Sequence, residues 1–167
     1  HKDITNASKL CTNYQISSRL QSYGDNDVEI YDWAVLDENG NISSTFNSEK
    51  QCTFVIRLRF VRDCANPIVG YFLSDAQGRE IVGANTDYLN QRLGMRTRDE
   101  RIEVRFEQVL GISSGQYSLN LGCSEYIDGN LIAHHRMYDL CVIRFSRSSF
   151  NVDFYLPETT ASIKKIA

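Results

Sequence analysis

The chain lacks three features that would assign it to a class at once: a basic excess, a long apolar segment and a helical hydrophobic period. Its formal net charge of −3 gives no electrostatic footprint for nucleic acid or an anionic membrane. No run of about 18 apolar residues occurs, and no secretory signal opens the chain. We therefore expect a soluble protein that binds no nucleic acid.

The five cysteines lack the signs of a disulfide or zinc framework. Their number is odd, and none of them has Cys-x-x-Cys spacing. Several lie in strand-like runs, where free cysteine behaves as a small hydrophobe. This pattern favours a reducing compartment.

Motifs for nucleotide, metal or catalytic chemistry are also missing. No Gly-x-x-x-x-Gly-Lys-Ser/Thr loop is present to hold phosphates. His134 and His135 are adjacent, so in a strand they point to opposite faces, and no third ligand stands at ligand spacing. A cupin, which needs three converging histidines, is disfavoured for the same reason. With no nucleophile, base and orienting group in sight, we expect no metal, no cofactor and no catalysis.

Period-two hydrophobicity is the main signal that is present. It is cleanest in residues 53–61, and in residues 28–36 it puts Tyr31, Trp33 and Val35 on one face. Further strands are expected at residues 68–73, 80–82, 102–106, 117–123, 137–145 and 150–156. About eight short strands separated by turn signals predict an all-β fold, an antiparallel β-sandwich of immunoglobulin or jelly-roll kind.

The length of 167 residues and the hydrophobic content of 42% fit a single core. We expect residues 1–24 to be a linker or N-terminal extension, with at most one short ordered piece. Residues 25–157 would form the sandwich, and residues 158–167 a polar tail.

The most distinctive stretch, residues 66–90, predicts a hairpin. Pro67 suits the start of a strand, because it has no N–H and a fixed φ. Gly78 can take a positive φ in the polar turn. Gly83 interrupts the second strand, which indicates a bulge or a close backbone approach. Asn85 and Thr86 place two hydrogen-bonding side chains at the exit, where they are expected to fix a loop.

These motifs resemble a known family. Residues 66–70 read Asn-Pro-x-x-Gly, and residues 74–86 read Ser-Asp-x-x-Gly-x-x-Ile-x-Gly-x-Asn-Thr. They are similar to the signature of the C-terminal carbohydrate-binding domain on the ATPase subunit of bacterial ABC transporters that export O-antigen polysaccharides, the Wzt type. Residues 110–119 are similar to its Gly-x-Tyr-x-Leu segment, and the likeness spans residues 25–145.

The resemblance implies a non-catalytic module that recognises O-antigen polysaccharide, in particular its modified non-reducing end. It implies a cytoplasmic place at the inner face of the bacterial inner membrane, where the parent ATPase meets a membrane-spanning transporter subunit. It also favours a homodimer in which the last strand, residues 150–156, is exchanged between copies. Because the chain begins with His1 and lacks the phosphate-binding loop, we expect it to be a C-terminal piece of that ATPase.

Two aromatic side chains are candidates for stacking against a sugar ring. Trp33 is either a core residue or a platform whose flat apolar face matches the C–H face of a pyranose. Phe72 is exposed if Val69, Tyr71 and Leu73 form the core side of their strand, and it then lies beside a glycine that leaves room above the backbone.

Polar side chains complete the candidate site. Arg57 and Arg59 occupy successive outward positions, where they are either solvated or donate to hydroxyls or an acidic sugar. Tyr88 and Arg92 lie in a loop of mixed charge, and loops on a rigid sandwich often carry binding groups. Asn120 lies on the outward side of its strand. We predict that Arg57, Arg59, Tyr88 and Asn120 contact carbohydrate together with the two aromatic residues.

Two functions from other classes remain open. A structural domain that only couples ATPase subunits would use an apolar face at residues 150–154 and would be indifferent to sugars. An enzyme acting on the glycan terminus would need a clustered pair, for instance His135 with Asp139.

Overall fold

The computed structural model describes residues 8–147 and 160–165. In these ranges the chain forms a short 3-10 helix at Leu10–Asn13 and nine strands. The strands are β1 Gln21–Tyr23, β2 Val28–Leu36, β3 Thr45–Asn47, β4 Cys52–Phe60, β5 Ile68–Ser74, β6 Glu80–Asn85, β7 Arg101–Gln108, β8 Gly115–Ile127 and β9 Asn130–Ser146. No helix in the described ranges is long and apolar enough to cross a membrane. The segment predicted as an exchanged last strand, residues 150–156, lies outside the described residues.

The strands form two sheets. The larger has the order β1-β9-β8-β5-β6, with β3 running parallel to the end of β9, and the smaller has the order β2-β4-β7. The other neighbouring pairs are antiparallel. Inward side chains from both sheets form one hydrophobic cluster. The prediction of an all-β antiparallel sandwich is confirmed.

Strand β4 supplies the centre of the core. Its inward residues Phe54, Ile56, Leu58 and Phe60 are fully buried, as the alternation predicts. Phe54 stacks on Tyr71 of β5, with ring centroids 4.0 Å apart and planes inclined by 8°. This contact joins the two sheets, and burial of an aromatic ring of this kind contributes about 2–3 kcal/mol.

A bulge interrupts the alternation in β2. The register of β2 on β4 shifts just before Asp32, so Tyr31 does not share the core face with Trp33. Tyr31 lies instead beside Arg101 of β7, whose guanidinium carbon is 5.4 Å from its ring centroid. The prediction that Tyr31 and Trp33 lie on the same face is wrong. The bulge adds one residue to β2, so the alternation of side chains before the bulge is reversed relative to the alternation after it.

Part of the segment 8–24, which the sequence suggested to be a linker or N-terminal extension, packs on the sandwich. Tyr14 is buried with its ring centroid 4.6 Å from that of Trp33, and its hydroxyl accepts the Val35 N–H at 2.8 Å. Strand β1 pairs with β9. The folded unit therefore begins upstream of residue 25. The apolar residues of this segment are spaced for contacts with other strands and show no period of their own.

One buried carboxylate fastens this segment to the smaller sheet. Asp32 accepts the N–H groups of Leu10 at 3.1 Å and Cys11 at 3.0 Å, and it pairs with Arg57 at 3.1 Å. Burial acts to raise the pKa of Asp32, but the hydrogen bonds from Cys11 and Leu10 outweigh it and hold this pKa below its usual range. Asp32 is thus ionised in the fold and stabilises it as an anion.

Replacing Asp32 by Asn is expected to lower the free energy of unfolding by about 2–3 kcal/mol at neutral pH, because buried donors lose their anionic acceptor. Since the folded-state pKa is lowered, the stabilisation is present above the unfolded value of about 3.9 and is lost as pH falls through the folded value. Urea unfolding at pH 7 and at about pH 3 measures this, and the difference between the proteins should shrink in acid.

Asp128→Asn is the matched control, since Asp128 lies exposed in the β8–β9 turn. It should unfold like the parent protein at both pH values. Equal unfolding midpoints for Asp32→Asn and the parent at neutral pH would contradict the role of Asp32.

Candidate binding groove

A groove of about 520 Å³ lies on the outer face of the larger sheet, across β5, β6, β8 and β9. Its lining is mixed, with aromatic rings, glycines and a few polar groups. Its lining side chains include Phe72, Tyr88, Ser124, Tyr126, Leu131, Arg136 and Tyr138. The groove is therefore on the wet side of the sheet, opposite the core.

The floor of the groove is bare backbone. Gly83 of β6, Gly70 of β5 and Gly122 of β8 belong to three adjacent strands. Gly70 pairs with Gly122, while Gly83 pairs with Phe72. A Cβ at Gly70 would lie 2.7 Å from the carbonyl oxygen of Ala84, and one at Gly83 would lie 2.7 Å from Cβ of Phe72. Gly70 and Gly83 thus mark a close approach of β5 and β6. A Cβ at Gly122 would meet only ordinary contacts, the nearest at 3.7 Å, so the floor is open to a ligand at β8.

Aromatic rings stand beside this floor. Phe72 and Tyr138 meet edge to face with centroids 5.6 Å apart, and Tyr23 meets Tyr138 at the same distance. Tyr88 and Tyr126 are mainly exposed, at 87% and 61%. The outer face therefore carries rings from several strands, with flat faces available to a ligand.

Tyr88 is held at the groove by the loop start that the sequence indicated. Asn85 accepts the Tyr88 N–H through Oδ1 at 2.7 Å. Thr86 is buried, and its Oγ1 accepts the Val69 N–H at 3.2 Å. The prediction that Asn85 and Thr86 fix a loop is confirmed by these two hydrogen bonds.

Arg136 is the cationic group of the groove. It donates from Nη1 to the Tyr138 hydroxyl at 3.3 Å and from Nη2 to Ser124 Oγ at 3.3 Å. Within the described part of the chain no ion pair is found for Arg136, whereas Arg57 and Arg59 are both paired with carboxylates. Part of its donor capacity therefore faces the groove.

Of the predicted site residues, the structure brings Phe72 and Tyr88 together in the groove. Trp33 is only 3% exposed and packs against Tyr14 in the core. Its role as a sugar platform is wrong, because no face of the indole reaches solvent. The alternative interpretation of Trp33 as a core residue holds.

Asn120 lies beneath the groove and does not line it. The side chain is 2% exposed. Its Nδ2 donates to the carbonyl oxygen of Phe72 at 3.2 Å, and its Oδ1 accepts the Asp139 N–H at 2.9 Å. Asp139 has φ +53 where the register of β8 on β9 shifts. Asn120 therefore stabilises the irregular backbone next to Tyr138, and its buried amide corrects the prediction of direct sugar contact.

The predicted arginines lie elsewhere. Arg57 and Arg59 project from β4 of the smaller sheet, and both are tied to acidic neighbours: Arg57 to Asp32 and Glu103, Arg59 to Glu29 at 2.8 Å. Their guanidinium groups are thus engaged in ion pairs on the smaller sheet, whereas the groove lies on the larger sheet. In the loop after β6, Arg92 pairs with Asp87 at 3.3 Å and does not line the groove.

Sequence reasoning missed Tyr126, Arg136 and Tyr138. The signal was present as Arg136 and Tyr138 alternating on one side of a strand-like run. The bulge at Asp139 does not change this phase, because Cys141 and Met137 on its two sides both face the core, so strict alternation already puts Arg136 and Tyr138 outward.

The histidine proposed for an enzyme alternative is occupied by structural contacts. His135 Nδ1 accepts the Ile30 N–H at 2.9 Å, and Nε2 lies 3.0 Å from Ser22 Oγ. Burial lowers the pKa of His135. Among the described residues, the side chains that could hold a metal lie around His134, outside the groove lining.

Two packed sheets of mainly antiparallel strands define the class of β-sandwich domains. The model of the Wzt C-terminal domain family matches residues 19–154, and the chain belongs to this family. The resemblance seen in its motifs is confirmed. Membership implies a role in an ABC transporter, as a domain of the ATPase subunit that is not itself catalytic.

The fold is similar to that of a solved structure described as the crystal structure of the C-terminal domain of Wzt. The TM-score is 0.81 at 18% sequence identity, with 92% of this chain and 95% of the other covered. Comparison with curated protein sequences gives no significant match.

The burial of Trp33 is testable because it is the only tryptophan. We expect its fluorescence emission to be blue-shifted and resistant to quenching by iodide, since the ring is shielded from solvent. A Leu131→Trp variant in a Trp33→Phe background is the control, because Leu131 is 46% exposed at the groove and should be quenched readily. Strong iodide quenching of the folded parent protein would contradict the core position.

Proposed function

We propose that this domain is a non-catalytic carbohydrate-binding module that holds O-antigen polysaccharide, at its non-reducing end, for export by an ABC transporter. The observation that carries the proposal is the groove itself, where a side-chain-free floor lies beside the rings of Phe72, Tyr88 and Tyr138. Family membership supplies the transporter setting.

The chemistry of the groove suits a sugar. The C–H face of a pyranose is apolar and packs on aromatic faces, while its hydroxyls need donors and acceptors at the rim. Arg136 and Ser124 provide such groups beside Tyr138. Burial raises the pKa of Tyr138, so its hydroxyl remains a donor at neutral pH.

The size of the groove favours the end of a chain over a long run of repeats. Its volume of about 520 Å³ lies within the range of about 300–1,000 Å³ that holds one small ligand. A polymer would continue from the open side into solvent. The volume thus supports recognition of a chain end, and the family resemblance suggests that this is the non-reducing end.

Affinity at one groove would be modest. Each sugar hydroxyl exchanges a hydrogen bond with water for one with protein, and the net gain is about 0.5–1.5 kcal/mol. A homodimer, with its last strand exchanged between copies, would present two grooves to the polysaccharides of one export site and raise the avidity. This dimer belongs to the proposal, since residues 150–156 lie outside the described ranges.

In the cell the domain would act at the cytoplasmic face of the bacterial inner membrane. The parent ATPase subunit would engage the membrane-spanning transporter subunit, and the bound glycan would be delivered to it. This setting rests on the family, while the groove supplies the contact with the cargo.

Phe72→Ala and Tyr88→Ala are each expected to weaken binding of the cognate polysaccharide about tenfold, because loss of one stacking face removes on the order of 1.4 kcal/mol. Tyr88 is mainly exposed, so its replacement should leave folding intact even if Phe72→Ala does not. Titration with O-polysaccharides from the source strain and from unrelated serotypes measures the effect.

Arg59→Ala is the matched control, because it removes an exposed side chain from the other sheet. It should bind as the parent does. The proposal that the groove binds glycan would be rejected if the parent protein bound no O-polysaccharide, or if Arg59→Ala lost as much affinity as Phe72→Ala and Tyr88→Ala. A third result would favour a structural domain that couples ATPase subunits. In that case the protein binds no polysaccharide, and truncation after Ser149 converts a dimer to monomers in sedimentation.

A further inference from the structure

A second group of functional side chains is buried away from the groove lining. Cys64 follows β4, Glu125 lies on β8, His134 on β9 and Asp25 in the connection before β2. Cys64, Glu125 and His134 are all buried, and His134 is only 1% exposed. The β8–β9 hairpin and two segments distant from it in sequence thus bring sulfur, carboxylate and imidazole donors to one place.

The distances are those of a compact donor set. His134 Nε2 lies 3.1 Å from Glu125 Oε2 and 4.0 Å from Cys64 Sγ. One donor atom from each of these three residues lies within 4.8 Å of the others. Adjacent ligands of a tetrahedral zinc ion are roughly 3.3–3.7 Å apart, as bond lengths of about 2.0–2.3 Å require. The observed separations bracket that range.

The other ring nitrogen also faces a carboxylate. His134 Nδ1 lies 2.9 Å from Asp25 Oδ1, so in the tautomer with hydrogen on Nδ1 this nitrogen donates to Asp25. Histidines that bind metals commonly donate their second nitrogen to a carboxylate in this way, which orients the ring and increases its basicity. Asp25 is therefore placed as the positioning residue of a metal-binding imidazole.

With hydrogen on Nδ1, the lone pair of Nε2 points at a carboxylate oxygen of Glu125. Two acceptors at 3.1 Å repel each other unless positive charge lies between them, as a second proton or as a metal ion. A proton would bridge only His134 Nε2 and Glu125 Oε2 and would give the Cys64 sulfur no role. The buried sulfur of Cys64 on the same side is an extra donor, of the type zinc prefers.

Glu125 is itself held rigidly. Its Oε1 accepts the N–H groups of Ala65 at 2.7 Å and Asn66 at 2.9 Å, which leaves Oε2 for the cluster. The same two hydrogen bonds anchor the loop that carries Cys64. The donors are thus preorganised by backbone contacts that a ligand does not have to create.

We propose that Cys64, Glu125 and His134 form a zinc site, with Asp25 as the positioning residue. The ion would tie the loop around Cys64 to β8 and β9, next to Ser124 and Tyr126 of the groove. When zinc binds, the Cys64 thiol releases its proton to the buffer and binds the ion as a thiolate, and His134 Nε2 donates its lone pair to the ion. The site is independent of the sugar and would stand if glycan binding failed.

The test is titration of the chelator-treated domain with Zn²⁺ alone and with Co²⁺ alone. We expect one tightly bound equivalent of zinc, a higher melting temperature, and a sulfur-to-cobalt charge-transfer band that reports a thiolate ligand. Cys64→Ser should remove the band and weaken zinc binding at least tenfold. Asp25→Asn should keep the band and weaken zinc binding about 10- to 100-fold.

Cys11→Ser is the matched control, because Cys11 is the only cysteine that is not buried, and it should leave band and affinity unchanged. No stoichiometric zinc binding, or no cobalt–thiolate band in the parent protein, overturns the proposal. Equal zinc affinity in folded Cys64→Ser overturns it as well. Should Cys64→Ser fail to fold, the band in the parent and in Cys11→Ser decides the question.

Discussion

The stacked contact between Phe54 and Tyr71 is the constraint from which the rest of the structure follows. It joins β4 of the smaller sheet to β5 of the larger, with centroids 4.0 Å apart. Because side chains alternate along a strand, an inward Tyr71 forces Gly70 and Phe72 outward. A slip of one residue would bury these two and expose the core.

The groove is a consequence of that orientation combined with irregular positions on neighbouring strands. Glycines on three adjacent strands give the floor no side chains of its own: Gly70 and Gly83 let β5 and β6 approach closely, and Gly122 leaves space above β8. The bulge at Asp139, held by Asn120, brings Tyr138 beside Phe72. On the smaller sheet the outward arginines Arg57 and Arg59 are paired with carboxylates. The two outer faces therefore differ in what they can bind.

The sequence predicts those features that depend on local alternation and turn chemistry. Strands β2, β4 and β5 lie where their patterns place them, and the exit of the hairpin fixes a loop through Asn85 and Thr86. These signals are local because each residue pattern reflects one strand and one core face.

What the sequence did not predict depends on contacts between distant segments. The burial of Trp33 follows from the packing of Tyr14, which lies in a segment without periodicity. Asn120 is buried next to the bulge of β9, where its Oδ1 accepts the Asp139 N–H. The cluster around His134 combines residues from four segments, and inspection of its sequence neighbours alone gives no ligand set. Such contacts follow from topology and register.

Amide NMR with the cognate O-polysaccharide can show whether the outer face of the larger sheet holds the glycan, as proposed. Chemical-shift changes centred on Gly70, Gly83 and Gly122, the floor of the groove, are expected. Changes confined to the smaller sheet around Arg57 and Arg59, or no change at saturating polysaccharide, would contradict the proposal.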